Sequence, residues 1–208
     1  DFIALPQIRL FELNNNGIDG AYDAHPEGWK PEKLWDVVNA YRAAHGQPLL
    51  LGMGSDDRHG YEGDASAWSV VRAASLSVKD LLEAIRAGDF YASNGLDFQD
   101  IQFDGRCLTV KMDVREEGQY RIEFIGTKKD YDPTSRVIEV EKGPRCPARK
   151  IDIYSDSIGV VLDTVEGTEG AYTLKPDDLY VRAKIVKVTE NLKPDWQSRP
   201  AAWTQPYC

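Results

Sequence analysis

The chain has 208 residues, of which 42% are hydrophobic and 28% charged, as in an ordinary soluble globular protein of one or two domains. Its net charge of −9 disfavours contact with a phosphate backbone, so we expect no nucleic-acid partner. No apolar run approaches the roughly 18 residues of a membrane span, and no signal peptide is visible, so we expect no membrane partner and leave the compartment open, cytoplasmic or exported. The three cysteines include no Cys-x-x-Cys pair, which disfavours a disulfide scaffold or a cysteine-rich zinc site.

The first elements predict a strand, a helix and a strand. An apolar run over 8–13 predicts a strand that ends in a turn over 14–17 and carries Glu12 near its carboxyl end. After a loop that contains His25, Pro31 opens a helix with a 3.6-residue apolar period, and His45-Gly46 closes it. The next run, 48–53, predicts a short buried strand. This order of elements favours a right-handed crossover and a parallel sheet.

A polar cluster, Gly54-Ser55-Asp56-Asp57-Arg58-His59, follows the second strand. In an extended segment alternate side chains share a face, so Asp57 and His59 can point at one metal ion while Arg58 points away. Carboxylate and imidazole together suit zinc, manganese or iron, and ligands often bind beyond the carboxyl ends of strands. The alternative is a polar loop with a hydrogen-bonded histidine.

The rest of the chain changes from helical to strand periodicity. Ser77 predicts the N-cap of a second helix, with Asp80 in the capping-box position, a buried stripe over 81–85 and Gly88 at its end. From about residue 90 the pattern has period two, and Asp104-Gly105 predicts a hairpin turn. We therefore expect two domains, an α/β unit over 1–95 and an antiparallel β-sandwich over 96–208.

Several stretches resemble a known family. They are residues 11–15, 54–59, 67–73, 81–95, 180–183 and 202–206. Together they make the chain similar to the C-terminal portion of PHP-domain (polymerase and histidinol phosphatase) metal-dependent phosphoesterases, in particular those with an appended β domain. The resemblance implies an α/β fold: part of a distorted (β/α) barrel of PHP type, followed by an antiparallel β-sandwich.

The resemblance also implies a function. A complete site of this family holds two or three divalent metal ions (Zn, Mn or Fe) at the strand ends, and Asp57 and His59 match its last Asp-x-His motif. Arg58, if it turns inward, would pair with the phosphate as a catalytic residue. Glu12, Asn14, His25 and Asp56 are possible site-lining residues. The expected activity is hydrolysis of a small phosphate mono- or diester by metal-activated water.

The chain departs from the family in one respect. It has three histidines and lacks the family's His-x-His motif, so it resembles the rear part of a longer protein. We therefore expect the upstream part of the same barrel as a partner and expect the isolated chain to be inactive. Two alternatives are a non-catalytic carbohydrate- or protein-binding β-sandwich and a degenerate barrel that serves as a scaffold. The β domain has Trp196, Trp203, Tyr180 and Tyr207 among its aromatics, which a hydrophobic core would also explain.

Overall fold

A computed structural model describes residues 2–15, 30–56, 67–141, 147–188 and 200–208. Two helices lie in these ranges, α1 (Pro31–Ala44) and α2 (Val78–Ala87). The strands, in chain order, are β1 (Leu10–Asn15), β2 (Leu51–Ser55), β3 (Trp68–Val71), β4 (Phe90–Ser93), β5 (Asp97–Phe103), β6 (Cys107–Asp113), β7 (Gln119–Lys128), β8 (Ser135–Val140), β9 (Arg149–Tyr154), β10 (Val160–Glu166), β11 (Glu169–Thr173), β12 (Asp178–Val188) and β13 (Ala201–Trp203). Neither helix is long and apolar enough to cross a membrane.

The strand–helix–strand unit at the start forms as predicted. β1 and β2 are parallel neighbours joined through α1, with Leu10 opposite Leu51 and Asn15 opposite Ser55. β1 extends through Asn15, although Asn14 and Asn15 were predicted to begin a turn. Pairing with the end of β2 uses the backbone groups that a turn would otherwise leave to solvent.

Both helices begin and end where their capping residues predict. Pro31 begins α1, and His45 follows its last residue with its imidazole Nδ1 2.7 Å from the Tyr41 carbonyl. In α2 the Ser77 hydroxyl accepts a hydrogen bond from the Asp80 N–H, and Gly88 ends the helix at φ 84°. The predicted buried stripe of α2 is wrong in extent, because Ala84 is its one buried residue and Leu82 is 44% exposed.

The remaining strands form a β-sandwich-like arrangement of antiparallel sheets. A six-stranded sheet has the order β10-β7-β12-β13-β4-β3, and a three-stranded sheet has the order β11-β6-β5. Alternate residues of β6, namely Leu108, Val110 and Met112, are buried and belong to one core with Ile122 and Ile185 of the larger sheet. β8 and β9 form a separate two-stranded sheet.

The predicted (β/α) barrel is wrong. Strands occupy 49% of the described residues and helices 14%, the sheets are mostly antiparallel, and no barrel closes within these ranges. β3 and β4, which we expected within the barrel, lie antiparallel to each other, and β4 pairs with β13 near the end of the chain. A parallel barrel needs a helical crossover between successive strands, and the described part of the chain has one such crossover, α1.

Residues on both sides of the predicted boundary at 95 share one core. Leu13, Trp35 and Leu50 pack in the same cluster as Val186 and Trp203. The boundary itself stays a prediction, but the strand–helix–strand unit buries its apolar face against the strands that follow it. Tyr180 and Trp203 are core residues here, with 0% and 2% of their surfaces exposed.

A buried ionic network joins α1 to β12. Asp36 accepts hydrogen bonds from Arg182 through both carboxylate oxygens, at 2.9 and 2.7 Å, and from the Tyr180 hydroxyl at 2.8 Å. Glu32, one turn earlier, accepts from Arg182 and Lys184. Burial alone would raise the pKa of Glu32, but the attraction of Lys184 and Arg182 outweighs it and lowers that pKa to about 2.

Candidate functional site

The carboxyl ends of β1 and β2 lie side by side and form the edge where the sequence places its polar cluster. In the register of the pair, Asn14 is opposite Gly54 and Asn15 is opposite Ser55. Asn14 and Asn15 are each only 4% exposed, and Asp56 follows β2 half-buried. The end of this strand pair therefore carries two amides, a hydroxyl and a carboxylate, and we call it the strand-end site.

Helix α1 fixes the start of β2 by side-chain hydrogen bonds. The Asn39 amide accepts from the Leu50 N–H at 2.7 Å and donates to the Leu50 carbonyl at 3.1 Å, and the Trp35 indole N–H donates to the same carbonyl at 2.7 Å. Trp35 also lies over Gly52, where an added Cβ would come within 2.9 Å of its ring. These buried bonds hold the strand on the helix with its carboxyl end at the site.

Two side chains form hydrogen bonds along the edge of β2 that is not paired with β1. The Gln205 amide accepts from the Gly52 N–H at 2.8 Å and donates to the Gly52 carbonyl at 2.9 Å. The Ser69 hydroxyl does the same for Gly54, at 3.0 and 3.1 Å. Gly54 has no room for a side chain, since a Cβ there would lie 2.3 Å from the Trp68 carbonyl oxygen.

The Asn14 amide leaves a hydrogen-bond donor unused at the strand-end site. Its Nδ2 is buried and has no partner among the described residues. A buried donor without a partner costs about 1–3 kcal/mol, so such a group favours an oxygen atom brought in by water or a ligand. The site can therefore offer a hydrogen-bond donor to a ligand.

The structure locates only some of the predicted site residues. Asp57, Arg58, His59 and His25 lie outside the described residues. Glu12 lies in the middle of β1 and is exposed, while Asn14 and Asp56 lie at the strand-end site.

Within the described ranges no group of three or more His, Cys, Asp or Glu side chains is arranged to hold a metal ion. The metal ligands therefore remain sequence predictions. Sequence reasoning missed Gln205 and Ser69, because nothing local marks a glutamine that bonds to a strand 153 residues earlier.

Comparisons with known protein families, with characterised proteins and with solved structures gave no match. The resemblance to the PHP phosphoesterases therefore depends on the sequence motifs alone.

Proposed function

We propose that this chain contributes Asp57 and His59 to the metal site of a phosphoesterase, at the carboxyl edge of the β1–β2 pair. The supporting observation is that β1 and β2 are adjacent and parallel and end together, with Asp57 following two residues after the last residue of β2. Ligands commonly bind beyond the carboxyl ends of parallel strands.

The two residues proposed as ligands suit divalent metal chemistry. Asp57 would supply a carboxylate and His59 an imidazole, a pair that suits zinc, manganese or iron. Such a metal lowers the pKa of bound water and polarises a phosphoryl oxygen. Zinc sites take three or four protein ligands, so Asp57 and His59 would need at least one further ligand.

The other residues have roles in holding the substrate. Asn14 can donate through its unused Nδ2 to a substrate oxygen. Arg58 would pair with the phosphate, because a guanidinium forms strong charge-assisted hydrogen bonds with phosphate oxygens. Since the overall charge of −9 repels a free phosphate ester, local positive charge is needed to admit the substrate.

The first test is metal binding by the chain itself. We expect Zn²⁺ or Mn²⁺ to bind in isothermal titration calorimetry and expect Asp57→Ala and His59→Ala each to weaken binding at least about tenfold, as for the loss of one ligand. His45→Ala is the matched control, since His45 lies at the end of α1 against the Tyr41 carbonyl and should leave the affinity unchanged.

The second test is hydrolysis of bis(p-nitrophenyl) phosphate by the natural protein that contains these residues. Loss of activity in Asp57→Ala and His59→Ala, with His45→Ala still active, supports the proposal. Metal affinity that is the same in all three variants, or a protein that binds no divalent metal, refutes it.

A further inference from the structure

A cleft separate from the strand-end site lies on the sandwich. The end of β3, the start of β4, strand β5 and the C-terminal segment surround it. Its volume is about 270 Å³. Pockets for drug-sized ligands run from roughly 300 to 1,000 Å³, so this cleft suits a ligand of about one ring. None of the residues proposed for phosphoester hydrolysis lines it.

The floor of the cleft is aromatic. Phe98 and Tyr91 line it and meet edge to face, with ring centroids 5.1 Å apart, and each is 8% exposed. Tyr207 lines it from the C-terminal segment and stacks on Phe103 at 4.9 Å. Backbone hydrogen bonds in both directions with Val181 hold Tyr207 in place. The floor is therefore a rigid surface for an apolar ring face.

The rim of the cleft carries both donors and acceptors. Arg72 and Asp89 form an ion pair at 3.1 Å whose side chains are 72% and 46% exposed, and Asp100 adds a second carboxylate. Tyr207, which also lines the cleft, adds a hydroxyl. Burial raises the pKa of this hydroxyl, which keeps it protonated as a donor.

This combination excludes several classes of ligand. Two carboxylates against one guanidinium disfavour an anion such as phosphate. A cation finds each carboxylate already partnered, Asp89 by Arg72 and Asp100 by the Gln102 amide at 2.6 Å. A wholly apolar ligand would remove Asp89 and Asp100 from water without replacing their hydrogen bonds. A neutral ring with an apolar face and a hydroxylated edge matches both the floor and the rim.

We propose that this cleft binds one pyranose unit of a neutral saccharide, stacked on the aromatic floor and hydrogen-bonded by Asp100 and Tyr207. This assigns the carbohydrate-binding alternative to a particular surface. It is independent of the phosphoesterase proposal, and either one can fail alone.

The test uses the methyl glycosides of glucose, galactose, mannose and N-acetylglucosamine, with inorganic phosphate and tyramine as charged probes. Binding is measured by saturation-transfer NMR and titration. We expect at least one glycoside to bind with a dissociation constant on the order of 1 mM, the range for about a dozen non-hydrogen atoms at ordinary efficiency. Neither charged probe should compete with it.

Three variants locate the site. Tyr207→Phe keeps the stacked ring and removes the hydroxyl, and Asp100→Ala removes an exposed carboxylate, so each should weaken binding about fivefold. Asp163→Ala is the matched control, an exposed strand aspartate elsewhere on the sandwich that should change nothing. Circular dichroism checks that each variant is folded.

Either of two results overturns the proposal. One is that no glycoside of the panel binds saturably, or that tyramine or phosphate binds in preference. The other is that a glycoside binds but with the same affinity in Tyr207→Phe, Asp100→Ala and the control.

Discussion

Replacing Asp36 by alanine should destabilise the protein by leaving Arg182 buried without its main partner. Arg182 is 1% exposed, and Asp36 accepts two of its hydrogen bonds. The same substitution also removes one acceptor of the Tyr180 hydroxyl, which keeps a bond to Thr127. The variant therefore removes the main ionic contact between α1 and β12 together with one bond of Tyr180.

The expected loss is about 3 kcal/mol of the free energy of unfolding. Removing one partner of a buried ion pair costs about 3–5 kcal/mol. Glu32 remains 3.2 Å from the Arg182 guanidinium and keeps part of its charge compensated, which places the loss at the lower end. Against a typical total of about 5–15 kcal/mol, the variant should still fold but unfold at clearly lower urea.

A matching double variant separates the ionic link from packing. Asp36→Leu with Arg182→Met replaces the pair by apolar side chains, and buried pairs exchanged in this way commonly leave stability within about 1–2 kcal/mol or raise it. The double variant should therefore be more stable than Asp36→Ala. Glu139→Gln is the control, because its ion pair with Lys150 is exposed and should contribute nothing measurable.

Urea unfolding followed by tryptophan fluorescence measures all of these variants, since Trp35 lies 5.0 Å from the Arg182 guanidinium. A loss below about 1 kcal/mol in Asp36→Ala would refute the reasoning, because losing the main partner of a buried guanidinium should cost more than that even with Glu32 in place. Equal losses in Asp36→Ala and the double variant would show that packing, rather than charge, sets the effect.

Two further predictions concern acid stability and the edge of β2. The folded pKa of Glu32, about 2, lies below its ordinary value of 4.5, so its stabilisation is complete above pH 4.5 and is lost as the pH falls towards 2. That difference in pKa corresponds to about 3 kcal/mol. In Glu32→Gln the free energy of unfolding should therefore depend less on pH across this window. An unchanged pH dependence would contradict the lowered pKa of Glu32. Gln205→Ala removes the three hydrogen bonds to Gly52 and Phe90 and should lower the free energy of unfolding, measured by thermal unfolding, by about 2–4 kcal/mol. The control is Gln102→Ala, an exposed glutamine whose loss should leave stability unchanged. A loss in Gln205→Ala no larger than in the control would contradict the role of Gln205.

The sequence predicted the parts of the fold that short-range signals specify. Ser77 and Gly88 mark the ends of α2 because their preferences act within a few residues. Asp104-Gly105 marks the β5–β6 hairpin for the same reason, with Gly105 at φ 94°. The parallel β1–β2 pair followed from the order of elements and the right-handed crossover.

The sheet order could not be predicted in the same way. The pairing of β4 with β13 joins residues more than a hundred positions apart in the sequence. The hydrophobic pattern of a strand does not specify which other strand it pairs with. The resemblance to a barrel family implied a (β/α) barrel over 1–95, which the antiparallel pairing of β3 with β4 contradicts.

Asn14 and Asp56 lie at the carboxyl ends of β1 and β2, and their role in a site stays a prediction. The side chains that support β2 could not be predicted. The contacts that hold β2 in place come from Asn39 on the helix and from Gln205, and such distant side-chain bonds leave no periodic trace in the sequence. The metal ligation by Asp57 and His59 stays a prediction.

The side chains hydrogen-bonded to Gly52 and Gly54 determine at which edge the β1–β2 sheet can add a strand. Gln205 and Ser69 occupy the main-chain groups that a neighbouring strand would need, so β2 cannot serve as a template for another chain. Within the described ranges the opposite side of β1 has no strand beside it. Any strand recruited by this sheet, whether in normal assembly or in self-association, must therefore add at β1.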